Sequence, residues 1–138
     1  MFVDASAIVA ILTREPEADA LADLLETARS PTTSPIAILE AALGICRKRH
    51  ASADEAEQGV GEFLGIAGVR TAPITDKEGH TALAAFLATV KAGGIRHDTG
   101  SGDCFASATA RNAVTARLFN GDDCNKTDIR PAVPPYST

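Results

Sequence analysis

The sequence has few of the residues on which several large protein classes depend. It contains no Trp, one Tyr and five Phe in 138 residues, so the aromatic platforms on which many single-strand nucleic-acid binders stack bases are largely missing. Its longest apolar run, Ala5 to Leu12, is far shorter than the roughly 20 residues that span a bilayer, and it follows Asp4 rather than a basic segment. We therefore expect neither a membrane span nor a signal peptide.

Cysteine and positive charge are also scarce. The three Cys residues are widely spaced and form no Cys-x-x-Cys pair, which argues against zinc or redox chemistry and favours a reducing, cytoplasmic setting. With 18 acidic and 13 basic residues, the net charge is -5, which argues against a protein that coats nucleic acid by bulk electrostatics. An enzyme whose metal ions offset clustered carboxylates remains compatible with this charge.

What remains is the composition of one ordinary globular domain. The chain is 45% hydrophobic and 22% charged, and 138 residues suffice for a single substantial core. No internal repeat or linker divides the sequence. We expect one domain over residues 1–130 and a short Pro-containing tail over residues 131–138, because its prolines cannot continue a helix or a central strand.

Predicted strands alternate with predicted helices along the chain. The strand predictions are Met1 to Asp4, a short strand within Ser30 to Thr33, Val69 to Ile74, Ala116 to Phe119, and a short edge strand at Ile129. Ser34 before Pro35 predicts a helix start, and an Ala-rich helix is expected from Asp103 to Ala113. This alternation predicts a parallel α/β sheet.

Two further helices have capping boxes, and two helices have apolar residues at helical spacing. The capping boxes are Ser52 with Glu55 and Thr75 with Glu78. The residues that recur at helical spacing are Ile36, Leu39, Leu43 and Cys46 in one helix, and Leu83, Phe86, Leu87 and Val90, which mark the other helix as amphipathic.

Three stretches that the pattern predicts to be buried each contain a single charged residue, and that residue is an acid. The stretches are residues 1–13 with Asp4, residues 30–46 with Glu40, and residues 99–110 with Asp103. An isolated carboxylate in an apolar setting is strongly unfavourable unless it is paired, protonated, hydrogen-bonded or bound to metal. These acids are therefore candidate functional residues.

Each acid also has an ordinary structural explanation when taken alone. Asp4 could cap the turn that follows it, Glu40 could form a salt bridge at the rim of an apolar face, and Asp103 could complement a helix dipole. Asp122 and Asp123 could be turn formers. Their joint placement favours a shared site.

Ligands of open parallel sheets bind beyond the carboxyl ends of the strands. Asp4 ends the first predicted strand and Asp123 follows the predicted strand at Ala116 to Phe119, while Glu40 and Asp103 lie on helices that can flank the same crevice. Four carboxylates at one point repel one another unless a divalent cation is bound, and Mg²⁺ or Mn²⁺ matches oxygen ligands of this kind.

Four segments resemble the VapC toxins, which are PIN-domain ribonucleases. They are Met-Phe-Val-Asp4-Ala-Ser6-Ala-Ile-Val-Ala-Ile-Leu, Ser-Pro-Ile-Ala-Ile-Leu-Glu40-Ala-Ala-Leu, Gly-Asp103-Cys-Phe-Ala, and Leu-Phe-Asn-Gly-Asp-Asp123-Cys-Asn-Lys-Thr-Asp128-Ile. The resemblance covers residues 1 to about 130 in the family's order, which makes it more specific than any single motif. It implies a three-layer α/β/α fold around a mainly parallel sheet of four to five strands.

The resemblance also implies Mg²⁺- or Mn²⁺-dependent RNA cleavage, neutralisation by a cognate VapB-type antitoxin, and homodimerisation. Ser6 matches the family's hydroxyl position, where it would orient the site, although it could instead be a helix N-cap. Asp128 matches a further acid near the site. The four acids that match the family's catalytic and metal-binding positions are Asp4, Glu40, Asp103 and Asp123.

The chain departs from the family pattern at two places. Residues 99–101 read Thr-Gly-Ser where relatives tend to carry Asn and an aromatic residue, which affects loop geometry and substrate contacts. Asp122 stands where Asn is common, so two adjacent acids compete for the fourth position, and the spacing to Thr127-Asp128-Ile129 favours Asp123.

Basic residues offer candidate contacts to RNA phosphates, although most are expected to be solvated surface charges. They are Arg47, Lys48, Arg49, Arg96, Arg111, Arg117 and Lys126.

Three other functions are compatible with parts of the pattern. A phosphoaspartyl-transfer enzyme also places Asp at the end of a first strand, but it pairs this Asp with a second acid two residues later, where this chain has Ser6. A non-catalytic module could bind RNA or protein, and a structural domain could carry unrelated acids. The combined acids favour a metal-dependent endoribonuclease in which metal-activated water attacks phosphorus.

Overall fold

The computed structural model describes residues 1–91 and 117–120. In this part of the chain four short strands form one sheet in the order β3-β2-β1-β4, and every neighbouring pair is parallel. The strands are β1 (Phe2–Val3), β2 (Thr32–Thr33), β3 (Arg70–Thr71) and β4 (Arg117–Leu118). The predicted α/β class with a parallel sheet is confirmed, and the strand predicted at Ile129 lies outside the described residues.

Five helices flank this sheet in the described ranges. They are α1 (Ala5–Leu12), α2 (Ala18–Thr27), α3 (Pro35–Arg49), α4 (Ala53–Ala67) and α5 (Asp76–Lys91). Each of the first two crossovers contains two helices, so α1 and α2 connect β1 to β2, and α3 and α4 connect β2 to β3. The predicted helix from Asp103 to Ala113 and the predicted tail over residues 131–138 lie outside the described residues.

The predicted helix starts are confirmed by their hydrogen bonds. Ser34 Oγ accepts from the Ala37 N–H at 3.2 Å, with Pro35 as the first helical residue. Ser52 Oγ accepts from the Glu55 N–H at 3.2 Å. These side-chain oxygens satisfy backbone donors that have no partner within the first helical turn. The remaining capping box is also formed, because the Thr75 N–H donates to the Glu78 carboxylate.

The core lies around β1 and α1, where the chain is most continuously apolar. Phe2, Val3, Ala7, Ile8 and Ala10 have no exposed surface. Burial of these side chains is the main driving force for folding of this region. Within the described ranges no helix is both long enough and apolar enough to cross a membrane.

The apolar residues Leu39 and Leu43 on α3 do not face the core. They are 58% and 47% exposed, and the buried side of α3 consists of smaller residues together with Ile45. The buried set is Ala37, Ala41, Gly44 and Ile45. Small residues allow α3 to approach α1 closely, so backbone proximity rather than side-chain size selected the face that packs inward.

Three of the apolar residues that mark α5 as amphipathic are also exposed. Leu83, Phe86 and Leu87 are 58%, 44% and 47% exposed, whereas Ala82 is 5% exposed. Helical spacing identified a common face correctly, but spacing alone does not say whether a face packs inward.

Gly44 marks the closest approach of α3 to α1. A Cβ at this position would lie 2.9 Å from Val9 Cγ2, and Val is stiff at χ1. We expect Gly44→Ala to lower the free energy of unfolding by about 1 kcal/mol, because overpacking outweighs the gain in helix propensity. Gly59→Ala is the matched control, since beyond its chain neighbours and its own helix backbone its added Cβ would have no atom within 4 Å.

Gly59→Ala should raise the free energy of unfolding by about 0.5–1 kcal/mol through helix propensity alone. Urea denaturation of both variants measures the two effects. Equal stabilisation by the two substitutions would show that α1 and α3 are less tightly packed than the structure indicates.

Candidate functional site

The sheet reverses its direction of growth between β1 and β4. The chain proceeds from β1 to β2 and β3 on one side and then places β4 on the other side of β1. Such a topological switch point opens a crevice beyond the carboxyl ends of the two strands. Asp4 directly follows β1, and Phe119 and Asn120 directly follow β4. The polar residues around Asp4 therefore lie where an open α/β sheet binds ligands.

Asp4 joins the end of β1 to the start of α1. Its backbone N–H donates to the Leu118 carbonyl at 2.9 Å, and its side chain caps α1 by accepting from the Ser6 N–H at 3.1 Å. The residue is 5% exposed. Asp4 therefore has the capping role that the sequence offered as its structural explanation, and its placement at the switch point is also compatible with a functional role.

Ser6 is held between the two strand ends. Its Oγ donates to Asp4 Oδ2 at 2.6 Å and accepts from the Asn120 N–H at 2.9 Å. The alternative that Ser6 is the N-cap of the helix is wrong, because Asp4 has that position and α1 begins at Ala5. The hydroxyl instead links the Asp4 carboxylate to the end of β4 through these two hydrogen bonds.

Arg117 supplies a buried positive charge to Asp4. One of its guanidinium nitrogens lies 2.9 Å from Asp4 Oδ1, and the side chains of Arg117 and Asp4 are 1% and 7% exposed. The expectation that the basic residues are mostly solvated surface charges therefore fails at Arg117. The sheet register explains the contact: Arg117 pairs with Phe2, and Asp4, two residues beyond Phe2, lies on the same face of the strand.

Glu40 reaches the same cleft from α3. The cleft has a volume of about 570 Å³ and includes Asp4, Ser6 and Glu40 in its lining. The residues that α3 contributes recur every three or four positions, which places them on one face of the helix. They are Glu40, Leu43, Gly44, Arg47 and Lys48. The helix start at Ser34 and Pro35 sets the phase that turns this face toward Asp4.

A second polar cluster closes the rim of the cleft. Asn120 Nδ2 donates to Glu15 Oε2 at 2.7 Å, and the Lys48 ammonium forms an ion pair with the Glu15 carboxylate. These contacts join the end of β4, the segment after α1 and the end of α3. The rim therefore carries both signs of charge, with Arg47 and Lys48 as its basic residues.

Three of the six predicted site residues are thus placed together: Asp4, Ser6 and Glu40 line one cleft. Asp103, Asp123 and Asp128 lie outside the described residues. Within residues 1–91 and 117–120, no three His, Cys, Asp or Glu side chains lie close enough to hold a metal ion. A four-acid site requires Asp103 and Asp123 in addition to the residues described.

The sequence argument offered Arg117 only as a candidate RNA contact, and it did not assign Asn120 or Glu15 to the site. A signal for Arg117 was present, because it is the one charged residue in the predicted strand Ala116 to Phe119. The reasoning that selected isolated acids in apolar stretches applies equally to an isolated base. Asn120 and Glu15 lie in turns rich in polar residues and have no comparable signal.

The donor chemistry of the cleft fits a hard divalent cation. Asp4 and Glu40 supply carboxylate oxygens, which suit Mg²⁺ and Mn²⁺. Both Asp4 oxygens accept hydrogen bonds, Oδ1 from Arg117 and Oδ2 from Ser6, but an ionised carboxylate has about four acceptor sites. Asp4 can therefore bind an ion while retaining these partners.

Comparison with known proteins identifies the family. The PIN domain family model matches residues 1–129. A VapC ribonuclease of Rhizobium meliloti is 32% identical over 139 residues, which cover 93% of this chain and 98% of the relative. Ribonuclease VapC28 of Mycobacterium tuberculosis is 29% identical, with 96% and 98% covered.

Two solved structures share the fold. The VapC20 toxin of Mycobacterium tuberculosis, described as cleaving the sarcin-ricin loop, superposes with a TM-score of 0.70 at 17% identity, covering 97% of this chain and 98% of that one. VapBC2 of Rickettsia felis, solved with a promoter DNA fragment, gives 0.66 at 14% identity, covering 87% and 86%. Together with the matches in sequence, the switch-point cleft and its acids show that the chain belongs to the PIN-domain family and to the VapC ribonucleases within it.

Proposed function

We propose that this protein is the toxin of a type II toxin–antitoxin system, an Mg²⁺- or Mn²⁺-dependent endoribonuclease that acts in the cytoplasm. The observation that carries the proposal is the convergence of Asp4, Ser6 and Glu40 in one cleft at the switch point of a VapC-family chain. The names of the relatives support ribonuclease activity.

We assign the ion to Asp4 and Glu40, together with Asp103 and Asp123 from the sequence, and Asp128 as a further acid nearby. When bound, such an ion supplies an activated water and offsets charge on the leaving oxygen of the phosphodiester. Ser6 orients the Asp4 carboxylate through its 2.6 Å hydrogen bond.

The basic residues of the cleft lining can contact a polyanion such as RNA. Arg47 and Lys48 are exposed and line the opening, where their charges can contact the RNA backbone. Lys48 is already paired with Glu15, so Arg47 is the stronger candidate for a phosphate contact.

Substitution of Glu40 tests the metal nuclease directly. We expect Glu40→Gln to lower the rate of Mg²⁺-dependent RNA cleavage at least about tenfold, which corresponds to about 1.4 kcal/mol of transition-state stabilisation. The amide keeps the shape of the side chain but loses its negative charge. The measurement is cleavage of total cellular RNA by purified protein, with EDTA added in a parallel reaction.

Asp19→Asn is the matched control, because Asp19 is an exposed acid on α2 and should leave the rate unchanged. Cleavage that persists in EDTA would contradict metal dependence. Absence of both Mg²⁺ or Mn²⁺ binding and cleavage would instead support a non-catalytic binding module.

We further propose that a VapB-type antitoxin inhibits the enzyme and that two copies form a homodimer. The VapBC2 structure of Rickettsia felis supports the antitoxin partner. The exposed apolar residues Leu83, Phe86 and Leu87 on α5 offer surface suited to protein contacts. Co-expression with a small protein encoded next to this chain should abolish cleavage, and light scattering of the purified protein should give the mass of two chains.

A further inference from the structure

Arg117 has no role in the proposed reaction, yet it forms a buried ion pair with Asp4. The Arg117 side chain is 1% exposed and its guanidinium donates to Asp4 Oδ1 at 2.9 Å. The guanidinium carbon also lies 5.9 Å from the centroid of the Phe119 ring. Arg117 is thus enclosed beside Asp4 and, unlike Arg47, is not placed to contact an RNA phosphate.

Burial makes the charge of Asp4 costly when no cation is bound. A buried carboxylate is stable only with a partner of opposite charge or with several hydrogen-bond donors. Arg117 provides both a charge and a donor, and Ser6 holds the second carboxylate oxygen. Arg117 therefore balances the charge of the carboxylate, and Arg117 and Ser6 together orient it.

The positive charge of Arg117 also opposes the binding of a metal ion at Asp4. A guanidinium that touches a metal-binding carboxylate repels an incoming divalent ion across a short distance, where the effective dielectric constant is well below that of water. The ion must share Asp4 with Arg117, because Arg117 pairs with Phe2 in the sheet and its side chain is 1% exposed and in contact with Asp4.

We propose that Arg117 is a positioning residue and a built-in counter-cation, which holds Asp4 in place without metal and weakens the affinity of the site for divalent ions. The inference rests on the proposed function, since it treats Asp4 as a metal ligand. In this arrangement the fold does not require bound metal, and occupancy of the site follows the concentration of free Mg²⁺ or Mn²⁺.

Metal titration of Arg117 variants tests this inference without reference to activity. Mn²⁺ binding is measured by isothermal titration calorimetry on the full chain for wild type, Arg117→Met, Arg117→Lys and the exposed control Arg70→Met. We expect Arg117→Met to bind Mn²⁺ about tenfold more tightly. Arg117→Lys, which keeps the positive charge, and Arg70→Met should bind with nearly wild-type affinity.

Thermal unfolding provides the second readout. Without metal, Arg117→Met should unfold at a lower temperature than wild type, and Mn²⁺ should raise its melting temperature more than that of wild type, since tighter binding to the native state stabilises it more. Unchanged or weaker Mn²⁺ binding by Arg117→Met would overturn the proposal, because a merely structural role predicts that result. A variant that is unfolded with and without millimolar Mn²⁺ would overturn it as well.

The outcomes also separate this inference from the proposed function. If wild type and Arg117→Met bind Mn²⁺ equally and wild type cleaves RNA, only the role of Arg117 fails. If neither protein binds Mn²⁺ or Mg²⁺ and wild type does not cleave RNA, the metal nuclease fails and the counter-cation proposal fails with it.

Discussion

Asp4→Asn is expected to lower the rate of RNA cleavage at least about 100-fold, equivalent to about 2.7 kcal/mol of transition-state stabilisation. Asp4 stands at the topological switch point, lines the cleft with Glu40 and is oriented by two hydrogen bonds from Ser6. In the proposed function Asp4 is a ligand of the metal ion, so removing its charge weakens the ion's hold at this point of the cleft. Single-turnover cleavage at saturating Mg²⁺ measures the effect on the reaction itself.

A folding control is needed because Asp4→Asn also changes a structural contact. The amide oxygen can still accept hydrogen bonds from Ser6, but the charge of Arg117 loses its partner. Rates are therefore compared at a temperature at which circular dichroism shows both proteins to be folded. Asp23→Asn, an exposed acid on α2, should cleave like wild type. Equal rates for Asp4→Asn and wild type would refute the assignment of Asp4.

Arg117→Ala is expected to lower the free energy of unfolding by about 3–5 kcal/mol in the absence of metal. Removing one member of a buried ion pair leaves the other charge uncompensated, which costs more than the pair contributes. In Arg117→Ala the charge left without its partner is that of Asp4, whose side chain is 7% exposed. Urea denaturation in EDTA measures the change, and Arg70→Ala, an exposed arginine on β3, should have little effect.

The combination of Arg117→Ala with Asp4→Asn isolates the interaction between the two side chains. If the loss arises from the uncompensated charge, the double variant should be less destabilised than the sum of the two single variants, by about 1–3 kcal/mol. Additive losses would show instead that Arg117 stabilises the fold through packing alone.

Local signals in the sequence were sufficient for the parts of the structure that depend on neighbouring residues. Capping at Ser34 and Ser52 was predicted and observed, because an N-cap needs only a side-chain oxygen and the first turn of its own helix. The isolated acids Asp4 and Glu40 were selected because a charge in an apolar stretch requires a partner, and both line the cleft. The roles of Asp103, Asp123 and Asp128 stay predictions.

The orientation of helix faces was not predictable from spacing. Leu39 and Leu43 have helical periodicity with apolar neighbours, yet they are exposed, and the small residues Ala41 and Gly44 pack inward instead. Which face is buried depends on how closely α1 approaches, and this distance is set by contacts between segments far apart in the chain.

The sequence by itself therefore determined the fold class, the helix starts and the acids that need partners, because each depends on local pattern and on the cost of burying charge. Tertiary structure alone decided which partner Asp4 has. Arg117 lies 113 residues away in the chain, and it reaches Asp4 because β4 pairs with β1 in a register that sets Arg117 opposite Phe2. Parallel pairing between distant strands brings these two charges to one face of the sheet. Water is excluded there, so each charge is balanced by the other rather than by solvent.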